Sequence, residues 1–112
     1  TDVPGMGGFC YKDILKTDLV DYFIGQFYTD YSLEAFEKCV KNGYPPEKIV
    51  IGGISGQDFG SNLDTIAEIK KTYPDFAGVS IWEYFNAPLG GADTSYNYNP
   101  NIWGQIVRKF ME

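Results

Sequence analysis

The chain contains no histidine among its 112 residues. That absence removes Ser-His-Asp and Cys-His catalysis and any histidine-ligated metal site. Acid–base chemistry, if there is any, must rest on Asp, Glu or Tyr. Basic residues are few as well: nine Lys and Arg stand against 15 Asp and Glu, a formal net charge of −6. There is no basic run, so neither nucleic acid nor an anionic membrane surface is an expected partner. No stretch approaches the roughly 20 apolar residues of a membrane-spanning helix, and no signal peptide is visible. The first residue is Thr1 rather than Met, which suggests a processed or truncated product. Two cysteines, Cys10 and Cys39, could form one disulfide or none. Cys39 falls on the apolar stripe of a predicted helix, which favours a buried free thiol. The glycine-rich stretch Gly52-Gly53-Ile54-Ser55-Gly56 lacks the lysine and the spacing of a phosphate-binding loop and reads as a plain β–α loop.

What the chain has in abundance is aromatic residues: nine Tyr, eight Phe and two Trp, within a hydrophobic share of 44%. That composition excludes a disordered tail, and the length allows one domain with a modest core. Aromatic faces can cover the apolar C–H faces of sugar rings, and they also fill ordinary cores.

Residues 1–9 read as a Gly-rich loop, and Tyr11, Ile14 and Leu15 as one short helical face. The aromatic and β-branched run Leu19–Tyr28 predicts a strand. Ser32 is a candidate N-cap for a helix carrying Leu33, Phe36, Cys39 and Val40 on one stripe, closed by Gly43 and stopped by Pro45-Pro46. Lys48–Gly52 predicts a second strand, and Gly52–Gly60 a loop. Ser61 or Asn62 would cap a helix whose inner face holds Leu63, Ile66, Ala67, the stem of Lys70 and Tyr73, ended by Pro74. Ala77–Phe85 predicts a third strand, and residues 86–98 a polar loop. Asn99 and Pro100 open a last helix with Ile102, Trp103, Ile106, Val107 and Phe110 on its apolar side.

Alternation of this kind predicts an α/β fold with parallel strands. Two architectures fit it: a small open sheet of flavodoxin type, or part of a (β/α)8 barrel, which needs about 250 residues. In both, three strands leave unpaired edges, so residues 1–112 are expected to form a single partial domain.

Asp21-Tyr22-Phe23-Ile24-Gly25-Gln26-Phe27-Tyr28 resembles strand six of the plant and fungal, hevamine-type branch of the family 18 glycoside hydrolases. There an Asp-Tyr pair begins the strand and Gln-Phe-Tyr ends it. Lys48–Gly52 looks like strand seven, and Gly78-Val79-Ser80-Ile81-Trp82 like strand eight. Thr1-Asp2-Val3-Pro4 is similar to the end of strand five. The resemblance implies the C-terminal part of a TIM barrel, about strands 5/6 to 8 with their helices. It implies a chitinase-like enzyme acting on β-1,4-linked N-acetylglucosamine polymers by substrate-assisted, retaining hydrolysis. In that mechanism the acetamido carbonyl of the substrate is the nucleophile and a strand-four Glu is the acid. No cofactor or metal is implied, and secretion is.

Strand alternation points Gln26 and Tyr28 one way, and Ser80, Trp82 and Tyr84 one way. In a barrel that face is the interior, and chemistry sits at the C-terminal strand ends. The resemblance assigns Tyr28 a catalytic hydrogen bond to the acetamido carbonyl, Trp82 the floor of the central sugar subsite, and Gln26 a polar contact beside it. Tyr28 could instead be a core tyrosine, and Trp103, on its apolar helical stripe, reads as core. Tyr96 and Tyr98 could extend a cleft or pack over the rim. Asp58, Glu83 and Asp93 are isolated carboxylates. The family's Asp-x-x-Asp-x-Asp-x-Glu motif is absent from the chain, and the branch's cysteine spacing does not match Cys10 and Cys39. The chain alone is therefore expected to be inactive and to need the missing N-terminal strands as its partner. Two other functions fit the residues: a non-catalytic chitinase-like carbohydrate-binding or inhibitor protein, and a small independent α/β interaction domain.

Overall fold

The computed structural model describes residues 18–54, 59–82 and 100–112, with side chains of the last two spans described from Gly60 and Gly104 onward. Three parallel strands alternate with three helices: β1 (Phe23–Gln26), α1 (Leu33–Lys41), β2 (Ile49–Ile54), α2 (Phe59–Thr72), β3 (Gly78–Trp82) and α3 (Pro100–Met111). A 3-10 turn at Pro46–Lys48 leads into β2. The strands lie in the order in which the chain makes them, β1-β2-β3. The α/β class with a parallel sheet is as expected from the alternation. The described strands show no reversal of order of the kind that creates a switch point in doubly wound sheets.

Each helix has a local cause. Ser32 holds extended backbone at the start of α1, and its hydroxyl oxygen accepts from the Ala35 N–H at 3.1 Å, satisfying one of the open N-terminal amides. At the other end Gly43 adopts φ 102°, where a β-carbon would be strained, and its N–H bonds back to the Val40 carbonyl. α2 begins at Phe59, before either predicted cap. Its buried side is centred on Thr65, Ile66 and Ile69, with Leu63 and Tyr73 packed beside it. The buried side shares Ile66 with the predicted stripe and adds Ile69, which is fully buried.

Strand boundaries differ in opposite directions. β1 keeps only four of the ten residues from Leu19 to Tyr28, because only Phe23–Gln26 find Cα partners on β2, in the register Phe23↔Ile49 to Gln26↔Gly52. Leu19 and Tyr22 are exposed instead. β2 runs past Gly52 into the predicted loop as far as Ile54, because β3 pairs with that stretch, Gly53↔Ile81 and Ile54↔Trp82. β3 is observed from Gly78 to Trp82, and the rest of its predicted span lies outside the described residues. So do the loop of 86–98, the elements expected before residue 18, and Cys10. Cys39 is a free, half-buried thiol whose pKa is pushed up by burial.

One core holds the layers together. Phe27, Ile49 and Ile51 of the sheet region pack with Phe36 of α1, Ile66 and Ile69 of α2, Phe76, and Val107 of α3. The Phe36 ring lies 5.2 Å from Tyr73 and 5.8 Å, edge-on, from Phe76. Side chains alternate across a strand, so Ile49 and Ile51 share a face, and their in-register neighbours Phe23 and Val79 share it too. All three helices reach this single cluster and therefore lie on the same side of the sheet. Two crossovers of the same hand in a sequentially ordered sheet produce that result.

Candidate functional site

The opposite face of the sheet carries the other half of each strand. In-register residues of neighbouring parallel strands point the same way, so this face is built in rows: Ile24, Val50 and Gly78, then Gln26, Gly52 and Ser80, then Ile54 and Trp82. Ile24 is 67% exposed, Trp82 63% exposed, and Gln26 also open to solvent. Val50, Ile54 and Ser80 are half-buried. None of these side chains belongs to the core cluster. The sheet thus has one face covered by helices and one that no described helix covers.

Two of the three expected site residues meet on the uncovered face. Gln26 ends β1 and Trp82 ends β3, both at the C-terminal edge, with β2 between them. Adjacent strands lie about 4.8 Å apart and rise about 3.3 Å per residue, so the two positions are separated by about 10 Å across the sheet and about 7 Å along it, Trp82 standing one row beyond Gln26. Tyr28 stands beyond the last paired residue of β1, in a bend, and is half-buried. Its neighbour Phe27 turns to the core and extends the ladder with an N–H bond to the Gly52 carbonyl at 2.9 Å. The uncovered face carries no carboxylate in the three rows. Glu83, Tyr84, Asp58, Asp93, Tyr96, Tyr98 and the Trp103 side chain lie outside the described residues.

The loop from β1 to α1 is anchored to both neighbouring elements. Tyr31 lays its ring against Gly53 so closely that a β-carbon there would stand 3.0 Å from it. The Tyr31 carbonyl accepts from the Thr65 hydroxyl of α2 at 3.2 Å. Burial raises the Tyr31 phenol well above its ordinary pKa of 10.0. Ser32 donates to Asp30 at 2.7 Å in the same loop. At the other end of the sheet, Lys48 donates to the Val20 carbonyl at 2.8 Å and lies 3.9 Å from Asp18, tying the segment before β1 to the start of β2.

Gly52 is the position that alternation alone does not flag. A β-carbon there would stand 2.6 Å from the Gly25 carbonyl oxygen and 3.2 Å from the Ser80 hydroxyl oxygen. It is the smallest residue in the middle of the row, and Ser80 leans over it. Neither Ser80 nor Gln26 has a side-chain hydrogen bond to another described residue. Among the described residues no group of His, Cys, Asp and Glu could hold a metal ion, and no helix is long and apolar enough to cross a membrane.

Comparison of the chain with protein-family models, with curated proteins and with solved structures finds no match in any of the three.

Proposed function

We propose that the chain is the C-terminal part of a (β/α)8 barrel of the family 18 glycoside hydrolase type. Its uncovered sheet face is then one wall of a cleft for β-1,4-linked N-acetylglucosamine polymers. The observation that carries the reading is the pairing of a sequential, parallel β1-β2-β3 sheet with its three described helices, all on the same side. A barrel is built of such units, with the bare face turned inward and sites at the C-terminal strand ends. Gln26 and Trp82 are at those ends and on that face. The motif likeness of Asp21–Tyr28, Lys48–Gly52 and Gly78–Trp82 supplies the substrate class.

In this reading the partner of the chain is the remaining set of barrel strands, and the protein is secreted. Trp82 stacks on a sugar ring, Gln26 makes a polar contact beside it, and Tyr28 donates to the acetamido carbonyl as charge develops there. The acid comes from the missing strands. The test is release of N-acetylglucosamine oligomers from chitin by the full-length protein and by Tyr28→Phe. Turnover by the wild type that falls roughly a hundredfold in the variant supports the assignment. Unchanged turnover removes Tyr28 from the site.

The same wall also fits a chitinase-like protein that binds without cutting, because Gln26 and Trp82 would hold the sugar in either case and the strand-four acid decides between the two. Binding of the oligomers by the full-length protein with no release from chitin would select it. Absence of both binding and release would sink both readings.

A further inference from the structure

The loop between β1 and α1 is pinned at both ends. At its start Phe27 is buried in the core, and its N–H bonds to the Gly52 carbonyl at 2.9 Å. At its far end Tyr31 is held twice, by its ring on Gly53 and by its carbonyl, which accepts from the Thr65 hydroxyl of α2 at 3.2 Å. Gly53 is in register with Ile81 and alternates with Ile51, so it belongs to the helix side of the sheet. The Tyr31 ring is thus seated between the end of β2 and the helix layer, against the core cluster. The backbone at Gly53 is not in the left-handed region, so the missing side chain there answers to space. A β-carbon would stand 3.0 Å from the Tyr31 ring. Thr65 is the buried polar residue among those described. Its single hydroxyl hydrogen has two carbonyls in reach, Ser61 on its own helix and Tyr31 on the loop, each at 3.2 Å. A helical threonine is satisfied by the carbonyl four residues back, so the second acceptor is a tie between elements. Tyr28 lies between the two anchors, past the paired part of β1, where strand pairing does not set its direction.

We propose that Thr65 is a positioning residue. With the Tyr31 ring seated on Gly53, its hydroxyl fixes the far end of the loop that carries Tyr28, and so holds the Tyr28 phenol where the acetamido carbonyl is bound. This rests on the assignment of Tyr28 to the site. A hydrogen bond that strengthens as charge develops is sensitive to small displacements of its donor. Thr65 stands on the helix layer and acts through the loop without touching the sugar. Removing its hydroxyl leaves α2 its own backbone bonds and frees the loop at one end. The loss therefore falls on the transition state and spares ground-state binding by Trp82 and Gln26.

The experiment is steady-state hydrolysis of the β-1,4-linked N-acetylglucosamine tetramer by the full-length protein. It compares wild type, Tyr28→Phe, Thr65→Val, Thr65→Ser and the double variant of Tyr28→Phe with Thr65→Val. Valine keeps the shape of threonine and lacks the hydroxyl; serine keeps the hydroxyl. Thr65→Val is expected to lower kcat roughly three- to tenfold, the equivalent of one neutral hydrogen bond, with KM unchanged. Thr65→Ser is expected to restore it. In the Tyr28→Phe background Thr65→Val is expected to cost nothing further, because the group it positions is gone. Gly53→Ala displaces the Tyr31 ring and removes no hydrogen bond, and it is held to the same split where Thr65→Val does not fold. An unchanged kcat in Thr65→Val, or the same fall with Tyr28 present and absent, overturns the positioning role, while a loss in Tyr28→Phe still upholds Tyr28. If Tyr28→Phe turns over like wild type, the assignment of Tyr28 fails and the positioning role with it. If wild type does not turn over, both fail.

Discussion

On the helix side of the sheet, Ile51 and the facing Phe36 and Ile69 are sealed from solvent, and three helices share one cluster with them. On the other side, Ile24 and Trp82 stand about two-thirds exposed, and Gln26 and Ser80 keep side chains that no described residue engages. The same strands make both faces, since successive residues alternate. The first face therefore accounts for how the unit holds together, and the second for what the unit is available to do. Substitutions on the two faces should then separate cleanly in their consequences.

The largest effect belongs to the covered face. Phe36→Ala removes a fully buried ring that touches both Tyr73 and Phe76, and about 3–5 kcal/mol of stability should go with it. Denaturant unfolding reads this directly, and a loss below about 1 kcal/mol would mean that the cluster is not the core. Next comes Ile24→Lys. On an open face it is neutral within about 0.5 kcal/mol. Inside a closed barrel it buries an unpaired charge and should cost the full-length protein about 3 kcal/mol. Unaltered stability of that variant would break the barrel reading while leaving the sheet intact.

A smaller effect is expected at the start of α1. Ser32→Ala deletes the hydroxyl that accepts from Ala35 and should cost about 1 kcal/mol, recoverable with Asp at the same position. The smallest effect is hidden at neutral pH. Burial raises the Tyr31 phenol above its ordinary 10.0. A group whose folded pKa is raised contributes stability that is complete below the ordinary value and is lost as pH climbs past it toward the folded value. Stability should therefore fall from about pH 10 upward, and Tyr31→Phe should flatten that fall while changing little at pH 7. Equal slopes in the two proteins would remove Tyr31 as the source. Tyr73, raised by burial and by the nearby Glu37 carboxylate, acts in the same direction.

The elements most legible in the sequence were those with punctuation at both ends. α1 has Ser32 before it and Gly43 after it, and both do what residue chemistry predicts. The aromatic run Leu19–Tyr28 predicts a longer strand than β1 because such residues favour extended structure wherever they lie, whereas pairing with β2 admits only Phe23–Gln26. Glycine and serine near residue 60 predict a later start for α2 than is observed, and the predicted stripe lies to one side of the buried one, which includes Ile69. At the candidate site, alternation correctly gave Gln26 and Trp82 one face each. That these are the same face, with Gly52 and Ser80 between and below them, depends on inter-strand register. Register is a long-range property that no local pattern encodes. Tyr28 escapes the argument for a different reason, since it stands past the paired part of its strand.

The proposed role of the uncovered face is to hold a saccharide against Trp82. It is tested most directly by following tryptophan fluorescence of the full-length protein during titration with the N-acetylglucosamine tetramer, in wild type and in Trp82→Phe. A saturable change is expected in wild type and its loss in the variant. No saturable change in wild type, or an equal change in the variant, would contradict it.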